Sequence, residues 1–209
     1  KKGYQAFVLY YSLKEEAKNM QVLMDASHAI MEIRHHCDEW NVQSNQIAVC
    51  GFSAGGHAAG SLGILWNHPR LLEKMDTENG LNRPDAMILC YPVITAGEFA
   101  HQGSLEWVSG SPRGTEENEF WALDRHVDST TPPAFIWHTV EDDCVPVENT
   151  LLLLNALQRN KIFYECHLYP HGAHGMSVCT VEVGSPNKRT ATWVPLCCDW
   201  LEDLFQFPE

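Results

Sequence analysis

The stretch "NQIAVCGFSAGGHAAGSLGILWN", Asn45–Asn67, decides the fold. Its first third is a continuous apolar run, the pattern of a strand covered on both faces. Its last half is rich in small residues and reads as a helix. Between them stands Gly51-Phe52-Ser53-Ala54-Gly55, a G-x-S-x-G pattern. A nucleophilic serine must stand clear of a sheet and reach a base. A sharp strand-to-helix turn achieves this, but it strains the backbone at the serine and crowds its neighbours. Glycines two before and two after the serine relieve that crowding. The serine then sits at a helix N-terminus, whose free N–H groups favour negative charge. The alternative use of the same residues is a serine that only caps the helix.

Working outward, strands and helices alternate. "GYQAFVLYY" (Gly3–Tyr11) is rich in Val, Leu and aromatics and predicts a strand. From Asn19 to Trp40 the residues Val22, Leu23, Ala26, Ala29, Ile30 and Ile33 recur at helical spacing. "DAMILCYPVI" (Asp85–Ile94), "PAFIWHT" (Pro133–Thr139) and "KIFYECHLYP" (Lys161–Pro170) predict further strands. "VENTLLLLNALQRN" predicts a helix with Leu151, Leu154 and Leu157 on one face. "TATWVPLCCDWLEDLFQF" (Thr190–Phe207) predicts the closing helix, with Pro195 near its first turn. Such alternation implies an α/β fold, a mostly parallel sheet with helices on both faces. The whole chain, 1–209, reads as one domain, and residues 96–128 read as an insertion or lid over the sheet.

Composition narrows the function classes. The 209 residues are 44% hydrophobic and 20% charged, and no apolar run reaches eighteen residues, so no membrane-spanning helix is expected. With 27 acidic and 14 basic residues the net charge is −13, which repels phosphate backbones and argues against nucleic acid as a partner. None of the eight cysteines forms a C-x-x-C pair, and several lie inside apolar runs. They read as small buried hydrophobes of a reducing compartment, and a cytoplasmic location is expected.

The serine's partners should follow in chain order, each after a later strand. "VEDDCVPVEN" follows "PAFIWHT" and offers Asp142 and Asp143; "HGAHGMS" follows "FYECHLYP" and offers His171 and His174. A histidine on a glycine-flanked loop can take the serine's proton, and a carboxylate can hold its tautomer and stabilise the imidazolium. The two histidines lack a third ligand nearby, so no metal is expected.

These segments together resemble the α/β-hydrolase superfamily. Within it the chain is similar to small bacterial esterases of the acetyl-xylan-esterase-like, sugar-hydrolase and lipase/esterase-like kinds. The resemblance rests on "GYQAFVLYY", "IAVCGFSAGGHAAGSLG", "ILCYPVI", "WHTVEDDCVPVENTLLLLNAL" and "HLYPHGAHGMS", in that order. It implies Asp142 as the acid, four residues before Pro146, and His174, the second histidine of H-G-x-H-G, as the base. It also implies the Ala54 N–H as one oxyanion donor. The second donor in such proteins comes from a Gly-rich "HGGG"-like loop after an earlier strand, and this sequence contains no such loop ahead of Ser53. The expectation is therefore an α/β-hydrolase fold without its N-terminal strands and oxyanion loop, some 50–70 residues (roughly, from typical strand and crossover lengths). A chain with such an open sheet edge is expected to be poorly soluble or to form a homodimer.

The implied activity is hydrolysis of short-chain acyl esters, acetylated sugars among them, without a cofactor. The same triad could serve a peptidase or amidase, and a non-catalytic member of the fold is the reading from another class. Phe52, Tyr91, Pro92, His101, Trp107 and Trp121 are the expected lining of the substrate pocket. Trp107 and Trp121 could equally be core residues of the lid.

Overall fold

The structure, a computed structural model, describes residues 3–206. Helix α1 (Gln21–His35) and the short α2 (Cys37–Trp40) precede strand β1 (Ala48–Phe52). Then follow α3 (Ala54–Leu65), α4 (Pro69–Leu72), β2 (Ala86–Cys90), α5 (Gln102–Ser109) and α6 (Glu116–Phe120). The chain closes with β3 (Ala134–Thr139), α7 (Glu148–Arg159), β4 (Tyr164–Tyr169) and α8 (Trp193–Phe205). Phe207, the last residue of the expected closing helix, lies outside the described residues, as do Lys1 and Lys2. No helix among the described residues is long and apolar enough to cross a membrane.

The four strands pair in the order β1-β2-β3-β4, all parallel. Successive side chains of a strand point to opposite faces. Met87 and Leu89 of β2, with Ala134 and Ile136 of β3, therefore join one cluster, which buries Leu23 and Ile30 of α1, Leu62 and Leu65 of α3, and Leu153 and Leu157 of α7. Ala86, Ile88 and Cys90, with Phe135 and Trp137, join the other, closed by Trp193, Cys197 and Leu201 of α8. Burial on both faces is why β2 and β3 read as unbroken apolar runs, whereas β1, expected to be covered likewise, lies at the edge of the described sheet and is only part-buried, with Cys50 exposed. Segment 96–128 sends Ala96, Leu105, Val108, Trp121 and Leu123 into the first cluster, so it is packed onto the body of the domain.

Two expectations are corrected. Gly3–Tyr11 forms no strand. A strand requires a ladder of backbone hydrogen bonds, and none of the four described strands pairs with this segment. Val8 and Tyr10 are accordingly 80% and 94% exposed. The segment is held by side chains instead: Phe7 packs on Trp40 at 5.2 Å between ring centres, and the Ser12 N–H donates to Asp25 Oδ2 at 2.8 Å. In α7 the buried stripe is Asn149, Thr150, Leu153, Ala156 and Leu157, while Leu151 faces out. A run of four leucines fits two helical faces, and the sheet chose the one continuous with Asn149.

Candidate active site

In a parallel sheet the loops at the carboxyl ends of the strands share one edge of the molecule. Ser53 follows β1, Asp142 follows β3 and His174 follows β4, so chain order alone brings all three to that edge. Ser53 takes φ 57° and ψ −120°, a conformation rare for a residue with a side chain. The turn is tied to the exit of β2 from both sides. The Ser53 N–H donates to the Cys90 carbonyl at 3.0 Å, and the Ser53 carbonyl accepts from the Val93 N–H at 3.2 Å. A Cβ on Gly51 would lie 2.0 Å from the Gly55 carbonyl oxygen, so only glycine fits. The second crowded glycine is Gly56, where a Cβ would lie 2.8 Å from Pro92 Cβ. Gly55 has room, its nearest neighbour being the Tyr11 hydroxyl at 3.7 Å.

Ser53 Oγ lies 2.7 Å from His174 Nε2, and His174 Nδ1 lies 2.7 Å from Asp142 Oδ2. Asp142 Oδ1 accepts the N–H groups of Cys144 at 3.0 Å and Val145 at 2.9 Å. Burial by itself would raise the Asp142 carboxyl. Hydrogen bonds from His138, His174 and the Val145 N–H, with the charge of His174, outweigh it and hold the group well below the ordinary carboxylate range. The two neighbours that competed on sequence sit elsewhere. Asp143 is exposed, and His171 is exposed and pairs with Glu141 at 2.8 Å. A carboxylate only accepts, so His174 carries its proton on Nδ1, which donates to Asp142 Oδ2, and presents Nε2 as an acceptor to the serine.

Of the expected pocket residues, the structure brings Tyr91, Phe52 and Pro92 close to Ser53 and His174. The Tyr91 ring meets the His174 ring edge-on at 5.0 Å and Phe52 at 6.0 Å. Its hydroxyl accepts the Ser177 N–H at 2.9 Å, and burial pushes that hydroxyl up to about 12. Tyr91 is itself only 4% exposed, so it supports the histidine loop more than it lines a cleft. Pro92 packs beneath the serine turn, against Gly56. Trp121 is corrected: it is fully buried in the first cluster and faces no cleft. Its carbonyl accepts from His57 Nε2 at 3.0 Å. His101 caps α5 through Ser104, and Trp107 on α5 is 45% exposed.

Three residues of the site's support were not read from the sequence. Asn149 is fully buried and uses all its capacity: Oδ1 accepts the N–H groups of Ile94 and Thr95, and Nδ2 donates to the carbonyls of Phe99 and Pro146. It thereby ties the exit of β2 to the start of α7. His138 and Thr150 pack behind Asp142 and are also fully buried. A lone polar residue in an apolar run is the signal that could have flagged His138. Asn149 and Thr150 carry no such mark, because they begin a helix where polar residues are ordinary. All eight cysteines are free. Among the described residues no group of His, Cys, Asp and Glu is arranged to hold a metal ion.

The family model described as BD-FAE matches residues 1–157. The chain belongs to that family. Its fold is that of the α/β-hydrolases, as the sequence resemblance implied. The crystal structure of an acetyl ester-xyloside bifunctional hydrolase from Caldicellulosiruptor lactoaceticus superposes with a TM-score of 0.85 at 36% identity, over 97% of this chain and 72% of that one. Among curated proteins, an endo-1,4-beta-xylanase B of Butyrivibrio fibrisolvens is 38% identical over 87% of this chain and 29% of its own length. An acetylxylan esterase of Xylanibacter ruminicola is 29% identical over 86% of this chain and 36% of its own length. The chain thus spans about a third of the curated relatives it matches.

Proposed function

We propose that this chain carries the catalytic machinery of a serine carboxylic ester hydrolase, with Ser53 as nucleophile, His174 as base and Asp142 as the acid that orients it. The observation that carries the reading is the continuous hydrogen-bonded chain from Ser53 Oγ through His174 to Asp142, both links at 2.7 Å. Ser53 Oγ attacks the ester carbonyl carbon as its proton passes to His174 Nε2. The charge that develops on the carbonyl oxygen is met by the Ala54 N–H, one of the first N–H groups of α3 and therefore without an intrahelical acceptor. Collapse of the tetrahedral intermediate expels the alcohol, which takes the proton from His174. Water then repeats the sequence on the acyl-enzyme, releasing the carboxylic acid and restoring Ser53.

The substrates proposed are short acyl esters, with acetyl groups on xylan-type sugars first. The support is the company of the chain, namely the acetyl ester-xyloside hydrolase and the acetylxylan esterase. The test is p-nitrophenyl acetate hydrolysis and acetate release from acetylated xylan, by the protein and by Ser53→Ala. The alanine variant should lose activity by a factor on the order of 10⁶. Equal rates from both proteins, or cleavage of peptide amides in preference to esters, would sink the proposal.

A further inference from the structure

The reading of Asp142 as the triad acid raises the question of what fixes its carboxylate. Two of its four hydrogen-bond donors, the N–H groups of Cys144 and Val145, belong to its own turn, and a third is His174. The fourth comes from below. His138, the fifth residue of β3, places Nε2 at 3.3 Å from Asp142 Oδ2 and 2.9 Å from the Val145 carbonyl oxygen. Its Nδ1 lies 2.8 Å from Thr150 Oγ1, in the first turn of α7. The side chains of His138 and Asp142 are fully buried, as is Thr150, so neither the imidazole nor the hydroxyl meets solvent or substrate.

The chemistry of these neighbours sets the state of the ring. A carboxylate and a carbonyl only accept, so Nε2 must carry a proton. In the neutral ring Nδ1 is then an acceptor, and the Thr150 hydroxyl donates to it. The imidazole is pinned at both ends, by the start of α7 on one side and the 142–145 turn on the other. Resting on the triad reading above, we propose that His138, locked by Thr150, is a positioning residue for catalysis: its Nε2–H holds the Asp142 carboxylate in the plane that His174 needs. Asp142 Oδ2 then has two donors of unequal length, the shorter one from His174. Without His138 the Val145 carbonyl and Oδ2 both lose a donor in a dry site, and the turn loses its tie to β3. The carboxylate is then free to rotate about its χ2, and His174 loses the single orientation that brings Nε2 to Ser53.

The experiment compares the protein with Ser53→Ala, His138→Leu, His138→Gln and Thr150→Val on p-nitrophenyl acetate. Rates are expressed per active site titrated with an organophosphonate, so that misfolded protein is not counted. His138→Leu removes the donor, and kcat should fall about tenfold to a hundredfold with KM within about twofold, the scale of a misplaced catalytic group. His138→Gln keeps an N–H donor and should recover most of that loss. A merely structural role would lower the number of titratable sites and leave kcat per site alone. The proposal is overturned if His138→Leu keeps wild-type kcat per site, or if the Gln and Leu variants are equally impaired. Should His138→Leu fail to fold, Thr150→Val decides: kcat should drop about threefold or more per site, from loss of one hydrogen bond behind the ring, and an unchanged value overturns the proposal. If the unsubstituted protein is itself inert or Ser53→Ala is as active as it, the triad reading has failed instead.

Discussion

Replacing Asp142 by asparagine tests the electrostatics of the site with the smallest change of shape. Two backbone N–H groups converge on Oδ1, so the amide must turn its oxygen there and its NH2 toward His174. His174 Nδ1, 2.7 Å away in the native site, then has to accept. Its proton moves to Nε2, which now presents N–H to Ser53 and cannot take the serine's proton. A wrong tautomer of this kind lowers kcat by a factor of about 10⁴. That is about 5 kcal/mol of transition-state stabilisation, at 1.36 kcal/mol per tenfold. The NH2 also meets the Nε2–H of His138, which loses its 3.3 Å contact to Oδ2 but keeps the Val145 carbonyl at 2.9 Å. Sign and window follow from the depressed Asp142 carboxyl. Its contribution to stability is fully present above the unfolded-state value near 4 and fades as pH falls toward the folded value, which lies lower. The stability gap between wild type and Asp142→Asn should therefore be widest at neutral pH and narrow below about pH 4. The assay is steady-state hydrolysis of p-nitrophenyl acetate at pH 7.5, with urea unfolding across pH. Asp143→Asn, at an exposed neighbour, should change kcat little. An Asp142→Asn enzyme within tenfold of wild type, or a larger loss at Asp143, would refute the assignment of the acid.

Three further outcomes are expected. Burial holds His57 neutral with its value lowered to about 4, so the unfolded chain takes up a proton that the native state refuses between about pH 6.5 and 4. Stability should decline by about 2 kcal/mol from this group between neutrality and pH 5, seen in urea titrations, and His57→Gln should flatten that decline. Asn149→Leu leaves the N–H groups of Ile94 and Thr95 and the carbonyl of Phe99 without partners. It should cost about 3 kcal/mol or more, read as a fall in Tm, and a variant as stable as wild type would show that water replaces the amide. Gly51→Ala places a Cβ against backbone that cannot yield, so the variant should be inactive toward an organophosphonate probe even where it remains folded by circular dichroism, whereas Gly55→Ala, with open space, should still label.

The sequence by itself determined the layout. Apolar runs bounded by turn residues placed β1 to β4, three- and four-residue spacing placed α1 and the helix after β3, and a run of small residues placed the helix after β1, because these patterns are local properties of the chain. It also singled out Ser53 as the candidate nucleophile, since the G-x-S-x-G turn is contained in five consecutive residues. The proposed acid and base were legible only as pairs of candidates on two loops until resemblance chose between them; in the structure Asp142 is buried and hydrogen-bonded to His174, whereas Asp143 is exposed and His171 pairs with Glu141.

Tertiary structure alone decided the rest. Val8 and Tyr10 carry strand propensity, but propensity cannot supply a ladder partner, and the segment stays unpaired. Trp121 was equally at home in a lid or a core by sequence, and it is buried because α3 lies against it. Gly56, not Gly55, became the second tight glycine through Pro92, thirty-six positions on. Asn149 and Tyr91 reach partners 50 and 86 residues away along the chain. Contacts of that kind depend on how the strands are ordered and which helix face meets the sheet, and no local period in the sequence encodes them.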